Sequence, residues 1–387
     1  MSRVLRDWLK RWRVCLIVIV LAIVALSVSY TALYFDRLRL DRKLYESAKK
    51  SQHAHDDADA LGRLDHLTMM QSLPREVVPT ADNGRRLIVI GDIHAMDQSL
   101  DRLLNHIEYD GATDHIVAAG DMVNKGPHSS RVIARLMELG ASAVRGNHED
   151  RVLLALAAAV EQEESRESEE CDKEPKTKGD NSTSSCFQAD GKKRDRKTAH
   201  QLSKEQIKWL AERPLILSAE DLAMYVVHAG LVPGIRPVDQ DPWAVMNMRS
   251  LIEPPRRLTQ QVPGQNGDFY EDHFDEDQDQ DVAQERKADE DVAASIAFED
   301  LIPIDTHEGR KWAALWDLRQ SQIRKADRRT VVYGHDAKRG LTIGKYTYGL
   351  DSACVNGGHL TALVIHVSKK GHVKRSIRQI RCKKYKR

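Results

Sequence analysis

Five apolar runs in this sequence each end beside side chains that bind metal ions in proteins. The first run, residues 87–90, is followed by Gly91, Asp92 and His94. A carboxylate and an imidazole two residues apart lie on the same side of extended backbone, where both can reach one cation. A single such motif is also compatible with a turn and a helix cap. The other four runs, however, end at residues of the same kinds, which are Asp121, Asn147, His228 and His335.

The order of strand and helix patterns around these residues predicts an α/β fold. The predicted strands are 87–90, 115–119, 141–145, 224–227 and 330–333, and the first two connections between them, 97–107 and 129–139, have helical patterns. In open α/β sheets, binding sites form at the carboxyl ends of the strands. A shared metal site at that edge explains the residue types better than packing does.

From Leu87 to His366 the sequence resembles the calcineurin-like metallophosphoesterases, and within them the branch of phosphoprotein phosphatases and ApaH-like enzymes. The motifs that carry this resemblance are Gly-Asp-Ile-His at 91–94, Gly-Asp-Met-Val-Asn-Lys-Gly at 120–126 and Gly-Asn-His-Glu at 146–149. The resemblance implies a four-layer α/β/β/α sandwich. Three later runs are expected to be antiparallel strands in its second sheet, namely 341–343, 346–350 and 360–366.

The resemblance also implies a site for two divalent metal ions. The implied ligands are Asp92 and His94 for the first metal, Asp121 as the bridge, and Asn147, His228 and His335 for the second. A carboxylate can bridge two cations, and such a pair activates water for in-line attack on phosphorus. Mixed imidazole, amide and carboxylate ligands without a thiolate are compatible with Zn, Mn, Fe or Co, and the resemblance favours Zn.

Four further residues are predicted to act in catalysis and substrate binding. His148 matches the family's proton donor to the leaving group, and Asn124 is placed to orient its imidazole. Lys125 and Arg145 are expected to bind substrate. Asn124 and Lys125 stand where phosphoprotein phosphatases have Asp and Arg, and ApaH-like members share this Asn-Lys pair. Ala95 replaces the glycine that is usual after the first motif.

These features favour a hydrolase of phosphorylated substrates. A neutral Asn124 supplies no charge to stabilise an imidazolium, which favours substrates whose leaving group departs without strong acid catalysis. Lys125 binds phosphate as a point charge, with less geometric selectivity than the planar guanidinium of an arginine. The sequence also resembles the fungal zinc-dependent vacuolar endopolyphosphatases, and this resemblance implies internal cleavage of inorganic polyphosphate. The alternatives are a phosphoserine/phosphothreonine protein phosphatase, a dinucleoside tetraphosphatase and a catalytically silent membrane receptor.

The first 84 residues predict a membrane anchor and a stalk. Residues 14–35 contain no charged residue, follow a basic segment and are long enough to cross a bilayer. We therefore expect a short cytoplasmic tail at 1–13, an uncleaved transmembrane signal anchor at 14–35 and a polar stalk at 36–84. The result is a single-pass type II protein of the endomembrane system with a lumenal enzyme, and the resemblance points to the vacuole.

The enzyme domain is expected at 85–381, followed by a basic tail at 382–387. Two polar inserts within it, 161–200 and 262–294, have too few large apolar side chains to form a core, which predicts disorder. The second insert is acidic, so mimicry of a polyanionic substrate and weak buffering of cations are open alternatives to simple solvation.

Composition adds little about partners. The formal net charge of +1 identifies no class of partner, and without an excess of basic residues no nucleic acid is expected to bind. The oligomeric state stays open. Five cysteines without CxxC spacing indicate neither a zinc ribbon nor a dense disulfide framework, and leave a Cys171–Cys186 bridge as one option.

Overall fold

The computed structural model describes residues 67–168, 193–254 and 297–386, together with 42–49 and a few isolated positions before them. Most of the expected anchor at 14–35, both Cys171 and Cys186, and the whole acidic insert at 262–294 lie outside the described residues. Within the described part of the chain, no helix is both long and apolar enough to span a bilayer. The expectations for these segments therefore stay predictions.

Two large sheets and one small sheet are accompanied by helices. In chain order the strands are β1 (Met70–Ser72), β2 (Arg86–Ile90), β3 (Asp114–Ala118), β4 (Ser142–Ala143), β5 (Ile216–Ala219), β6 (Met224–Val227), β7 (Ser250–Ile252), β8 (Ile302–Ile304), β9 (Arg310–Lys311), β10 (Thr330–Tyr333), β11 (Thr342–Ile343), β12 (Thr347–Gly349), β13 (His359–Val367) and β14 (Val373–Arg381). The helices are α1 (Asp97–His106), α2 (Ser129–Glu138), α3 (Asn147–Ser168), α4 (Lys204–Ala211), α5 (Pro242–Asn247) and α6 (Trp312–Gln322). Residues 193–201 form a further helical segment.

The strand order brings several carboxyl ends to the same edge. The first sheet has the order β14-β13-β2-β3-β4, and β2, β3 and β4 are parallel neighbours. The second sheet has the order β1-β5-β6-β10-β12-β11, and β10 is parallel to both β6 and β12. The small sheet has the order β8-β7-β9. Parallel neighbours end at one edge, so the residues that follow them meet there.

Alternate side chains of β2 reveal how the layers stack. Leu87 and Val89 are buried together with Val332 of the second sheet, so they face the space between the sheets. Ile88 and Ile90 face the other way and share a core with side chains of α1, α2 and α4, such as Leu100. Helices α5 and α6 cover the outer face of the second sheet. The layers are therefore helix, sheet, sheet and helix, in agreement with the predicted α/β/β/α sandwich.

Two parts of the chain join the sheets differently from the expectation. The run 360–366, expected in the second sheet, forms β13 and pairs antiparallel with β2 in the first sheet. Apolar alternation fixes which face of a strand is buried, but it does not specify which sheet the strand joins. Residues 70–72, expected in the stalk, form β1 and pair with β5, so strand pairing in the second sheet starts before residue 85.

Both ends of the insert at 161–200 are helical, against the expectation of disorder. Helix α3 continues to Ser168, and the helical segment 193–201 buries Asp195 and Thr198, which are 5% and 7% exposed. A buried carboxylate needs hydrogen-bond partners. Those partners come from distant parts of the chain, which the polar composition of the insert could not reveal.

A disulfide joins Cys354 to Cys382, a pair that the sequence did not single out. The Cys382 N–H also donates to the Gly358 carbonyl at 2.8 Å. Residues 382–386, expected to be part of a basic tail, are therefore attached to the loop that connects β12 to β13.

Candidate metal centre

The predicted ligands meet where strands of both large sheets end. Asp92 and His94 follow β2, Asp121 follows β3, and the residues from the second sheet follow β6 and β10. Three of the backbone turns there are left-handed, with φ of 45° at His94, 51° at Asp121 and 71° at His335. Residues other than glycine rarely adopt such angles, and they concentrate at functional sites.

Asp121 lies at the centre of the cluster and presents one oxygen to each side. Its Oδ2 is 3.5 Å from His94 Nε2, and its Oδ1 is 3.3 Å from His228 Nε2. The His148 backbone N–H donates to the same Oδ1 at 3.0 Å, which fixes the carboxylate in this orientation. A carboxylate placed in this way can bind two cations at once.

Each of three imidazoles in the cluster has one ring nitrogen against a backbone carbonyl and the other toward the site. The pairs are His94 Nδ1 with Val123 O at 3.2 Å, His228 Nδ1 with Ala119 O at 2.9 Å, and His335 Nε2 with Asn247 O at 2.9 Å. A ring N–H that donates to a carbonyl leaves the opposite nitrogen with a free lone pair. This arrangement is typical of metal-binding histidines.

Two buried ring nitrogens in the cluster face each other without a hydrogen between them, and a buried carboxylate oxygen has no partner. His335 Nδ1 lies 3.2 Å from His228 Nε2, and in both rings the opposite nitrogen contacts a backbone carbonyl. Asp92 Oδ2 is buried and has no hydrogen-bond partner. The Asn147 amide also lies 3.1 Å from His228 Nε2, and its nitrogen can donate to that atom when the amide is turned. Lone pairs at these distances repel unless a cation lies among them. The residues present therefore fit divalent metal ions, the cofactor class predicted from the sequence.

His148 is bound differently from the other imidazoles. Its Nδ1 lies 3.2 Å from Asn124 Nδ2, an amide nitrogen that can only donate, so Nδ1 accepts and Nε2 carries the hydrogen. His148 Nε2 is 4.0 Å from Asp121 Oδ2 and points toward the cluster. A ring nitrogen that carries hydrogen is a donor rather than a metal ligand, which fits the predicted catalytic role of this residue.

Two residues of the helical segment 193–201 set the orientation of the Asn124 amide. Asp195 Oδ1 accepts a hydrogen bond from Asn124 Nδ2 at 2.9 Å, and the Thr198 hydroxyl donates to Asn124 Oδ1 at 2.5 Å. Because a carboxylate can only accept, the amide nitrogen must face Asp195. Its second hydrogen then reaches His148. Arg151 pairs with the other Asp195 oxygen at 3.0 Å.

The pKa values of two buried carboxylates in the cluster are shifted in opposite directions. Burial, followed by the charges of Asp351 and Asp121, raises the pKa of Asp92 well above its usual value. Burial also opposes ionisation of Asp121, but the neighbouring His228, the other imidazoles beside it and Lys125 hold its pKa well below the usual range. The surroundings of Asp121 therefore favour its charged form, which suits a bridging ligand.

Burial also lowers the pKa values of three imidazoles in the cluster. It lowers the pKa of His94 to about 3 and is the main reason why the pKa values of His148 and His335 lie well below that of a free histidine. Neutral imidazole is the form that binds metal ions.

Comparison with known proteins identifies the family. The sequence profile described as calcineurin-like phosphoesterase matches residues 85–339. The chain belongs to this family. It is therefore a metallophosphoesterase, as predicted, and the family's use of divalent metals agrees with the clustered side chains.

Two bacterial relatives match parts of this domain. The chain is 39% identical over 79 residues to serine/threonine-protein phosphatase 1 of Salmonella typhimurium, covering 20% of this chain and 37% of that protein. It is 32% identical over 147 residues to the symmetrical bis(5'-nucleosyl)-tetraphosphatase of Photorhabdus laumondii, covering 38% and 44%. The chain thus spans less than half the length of either relative.

A solved structure described as a candidate diadenosine tetraphosphatase is also similar. It superposes with a TM-score of 0.50 and 24% identity over 80% of this chain and 97% of that chain. At this identity the similarity supports the fold alone.

The two residues predicted to bind substrate in this calcineurin-like phosphoesterase lie in different surroundings. Lys125 is half-buried, with its Nζ 2.6 Å from His94 Nε2 and 4.0 Å from Asp121 Oδ2, at the mouth of the cluster. Arg145 is buried, donates to the Ala211 carbonyl at 2.6 Å and pairs with Asp150 at 3.4 Å. These contacts position the guanidinium, and its role in substrate binding stays a prediction.

Sequence reasoning missed Glu149, which shapes the loops of the site. Its buried carboxylate accepts hydrogen bonds from four backbone N–H groups. Three belong to the loop after β3, namely Asp121 at 2.8 Å, Met122 at 2.8 Å and Val123 at 3.1 Å, and the fourth is Gly146 at 2.9 Å. Burial raises the pKa of Glu149 to about 7. Its signal in the sequence is an acidic residue in the first turn of a helix, where it can bond back to the helix start.

Asp195, Thr198 and Asp351 were also missed. Asp351 follows β12, so it obeys the same strand-end rule as the predicted ligands and could have been found by that rule. No local pattern marks Asp195 or Thr198, because their partner Asn124 is more than 70 positions away in sequence.

A basic cavity, which we call the catalytic cleft, opens beside His148. Its volume is about 490 Å³, and four cationic side chains line it, namely Lys125, Arg151, Arg194 and Lys197. Asp195 is the one carboxylate among its described lining residues, and it is paired with Arg151. The catalytic cleft is therefore suited to a strongly anionic ligand.

Proposed function

We propose that this calcineurin-like phosphoesterase cleaves inorganic polyphosphate internally. The observation that carries the proposal is the catalytic cleft, whose lining includes Lys125 and His148 together with Arg151, Arg194 and Lys197. Its four cations outnumber its one described carboxylate, Asp195, by three, and a single phosphate group, with about two negative charges near neutral pH, does not balance that excess. A chain of phosphates places a negative charge against each of them.

The six ligand positions would hold two divalent cations. Asp92 and His94 lie on one side of Asp121, and His228, His335 and Asn147 lie on the other. Cations bound there supply Lewis acidity, which acidifies an attacking water and neutralises phosphoryl oxygens. The protein's own contribution is to hold the ligands rigidly through the carbonyl contacts of the imidazoles and the backbone contacts of Glu149.

His148 supports a phosphate leaving group. With Asn124 donating to its Nδ1, the ring offers Nε2–H to the site as a hydrogen-bond donor. A departing phosphate is a weak base, so a hydrogen bond stabilises it without complete proton transfer, whereas the alkoxide that leaves phosphoserine needs a proton. This supports phosphoanhydride substrates over phosphoproteins.

The experiment compares three substrates with the purified full-length protein under added Zn, Mn or Co. Long polyphosphate, a phosphopeptide and a bis(5'-nucleosyl) tetraphosphate are each incubated, and polyphosphate products are sized on gels. We expect chains of intermediate length from polyphosphate and slow release from the phosphopeptide. Release of orthophosphate alone, or faster hydrolysis of the phosphopeptide, would overturn the proposal.

A dinucleoside tetraphosphatase is the second candidate. The 32% identity over 147 residues to a symmetrical bis(5'-nucleosyl)-tetraphosphatase favours it, because that substrate also contains phosphoanhydrides. Higher kcat/KM for the dinucleotide than for polyphosphate in the same experiment would select it.

We also propose that residues 14–35 anchor the enzyme in an endomembrane with the catalytic domain in the lumen of the vacuole. The uncharged run supports an anchor. The Cys354–Cys382 disulfide supports an oxidising compartment, because cytosolic thiols are kept reduced. Protease protection in sealed vesicles tests this, and digestion of the intact catalytic domain from the cytosolic side would contradict it.

A further inference from the structure

A second basic cavity adjoins the catalytic cleft. It has a volume of about 630 Å³, and Pro127 and Tyr385 line both cavities. Four cationic side chains line this second cavity, namely Arg102, Arg381, Lys383 and Lys384. We call it the C-terminal trough.

The position of Lys383 and Lys384 is fixed by contacts on both sides of them. The Cys354–Cys382 disulfide precedes the two lysines, and the Tyr385 N–H donates to the Val355 carbonyl at 3.0 Å just after them. These contacts bind the C-terminal segment to the loop between β12 and β13. That loop begins beside Asp351, a neighbour of Asp92 at the metal centre.

The cations of the C-terminal trough are not neutralised by nearby carboxylates. Among the residues described by the structure, Asp97 is the one carboxylate in the lining, and it is paired with His128 at 2.9 Å and with Arg131 at 3.6 Å. No ion pair involves the four lining cations within the same set of residues. Their charge is therefore available to an anion.

We propose that the C-terminal trough is a second binding subsite for inorganic polyphosphate. The catalytic cleft would then hold the chain near the metal centre, and the C-terminal trough would hold phosphates further along the same chain. Polyphosphate fits better than nucleic acid, because the lining offers cations for phosphates but little surface for bases. Base stacking needs several aromatic side chains, and the aromatic rings in the described lining are those of Tyr385 and of His128, which is paired with Asp97. This inference rests on the proposed function.

The test compares two double variants of the full-length protein that remove the same charge. Lys383→Ala/Lys384→Ala changes the trough, and Lys369→Ala/Lys370→Ala changes exposed residues within the turn between β13 and β14. We expect the trough variant to raise KM for long polyphosphate about tenfold, since each lost lysine–phosphate contact weakens binding. Tripolyphosphate has only three phosphates to place beside the metal centre and in the catalytic cleft, so we expect its KM to change much less. The control variant should stay close to wild type.

Each outcome decides a separate point. Equal effects of the two double variants would mean that net charge alone matters, and equal effects on long and short substrates would exclude a distant subsite. Should the wild type fail to cleave polyphosphate, the proposed function fails. Direct binding of polyphosphate to three Asp121→Asn proteins, with no further change, with Lys383→Ala/Lys384→Ala or with Lys369→Ala/Lys370→Ala, still tests the trough. RNA binding as tight as polyphosphate binding, with the same lysine dependence, would overturn the ligand assignment.

Discussion

Asp121 holds the site together because it contacts both halves of the ligand set. One oxygen lies near His94 and the other near His228, while the backbone of His148 fixes its orientation. A neutral amide of the same shape would keep the packing but lose the charge and one ligand oxygen. The substitution Asp121→Asn therefore separates the role of the charge and the ligand oxygen from that of side-chain packing.

We expect Asp121→Asn to lower kcat/KM for polyphosphate at least about 100-fold and to reduce bound metal, since even residues that only support ligands contribute up to that factor. Metal content and kinetics are measured on the same preparation. Asp101→Asn, an exposed change in α1, serves as the control. Activity that survives in Asp121→Asn would contradict the metal site and revive the silent-receptor alternative.

The orientation of His148 depends on Asp195 through Asn124. Without the Asp195 carboxylate, the Asn124 amide is free to turn its oxygen toward His148 Nδ1, which would move the ring hydrogen away from Nε2. We expect Asp195→Ala to lower kcat about tenfold with little change in KM. Asp195→Asn, whose amide oxygen can still accept the bond, should retain most activity.

A tautomer measurement makes this prediction specific. The ¹⁵N chemical shifts of the His148 ring should report hydrogen on Nε2 in the wild type and a shift toward Nδ1 in Asp195→Ala. Unchanged ring shifts, together with a drop in kcat, would point to a structural effect of Asp195 instead.

At the scale of elements, the turn that follows β2 carries strain. Ala95 has φ of 59°, a left-handed angle that costs a residue with a Cβ about 1–2 kcal/mol. The chain maintains this turn through hydrogen bonds from His94 and Ala95 to the loop after β3, at 2.8 Å each. The glycine that the sequence lacks at this position would suit the turn better.

We expect Ala95→Gly to raise the free energy of unfolding by about 1 kcal/mol, because relief of the left-handed strain exceeds the added chain entropy. Urea denaturation measures the change. Ala134→Gly, an exposed position inside α2, should lower it by about 1 kcal/mol and is the control. A loss of stability in Ala95→Gly would show that the turn is not strained.

At the scale of the whole molecule, sequence reasoning succeeded where local patterns carry the information. Strand β6 and the meeting of the strand-end residues follow from short apolar runs beside Asp, Asn and His, and helices α1 and α2 follow from the helical patterns at 97–107 and 129–139. It failed where the information is long-range. The sheet that β13 joins, the Cys354–Cys382 pairing and the Asp195 contact all depend on packing between distant segments.

The ligand set also connects the two large sheets, which predicts that metal stabilises the entire domain. Asp92, His94 and Asp121 follow strands of the first sheet, whereas His228 and His335 follow strands of the second. Cations bound to the folded state at 100 times their Kd should raise its free energy of unfolding by about 2.7 kcal/mol. Thermal unfolding of chelated and Mn- or Zn-loaded protein measures the increment.

The metal-induced gain in the free energy of unfolding should disappear in Asp121→Asn and persist in His115→Gln. His115 is a partly buried histidine on β3, and its ring forms a hydrogen bond with Ser142 outside the cluster. Equal loss in both variants would mean that metal binds elsewhere. An increment that persists in Asp121→Asn would mean that the cluster does not hold the cations that stabilise the fold, because Asp121 places its two oxygens beside imidazoles that follow strands of both sheets.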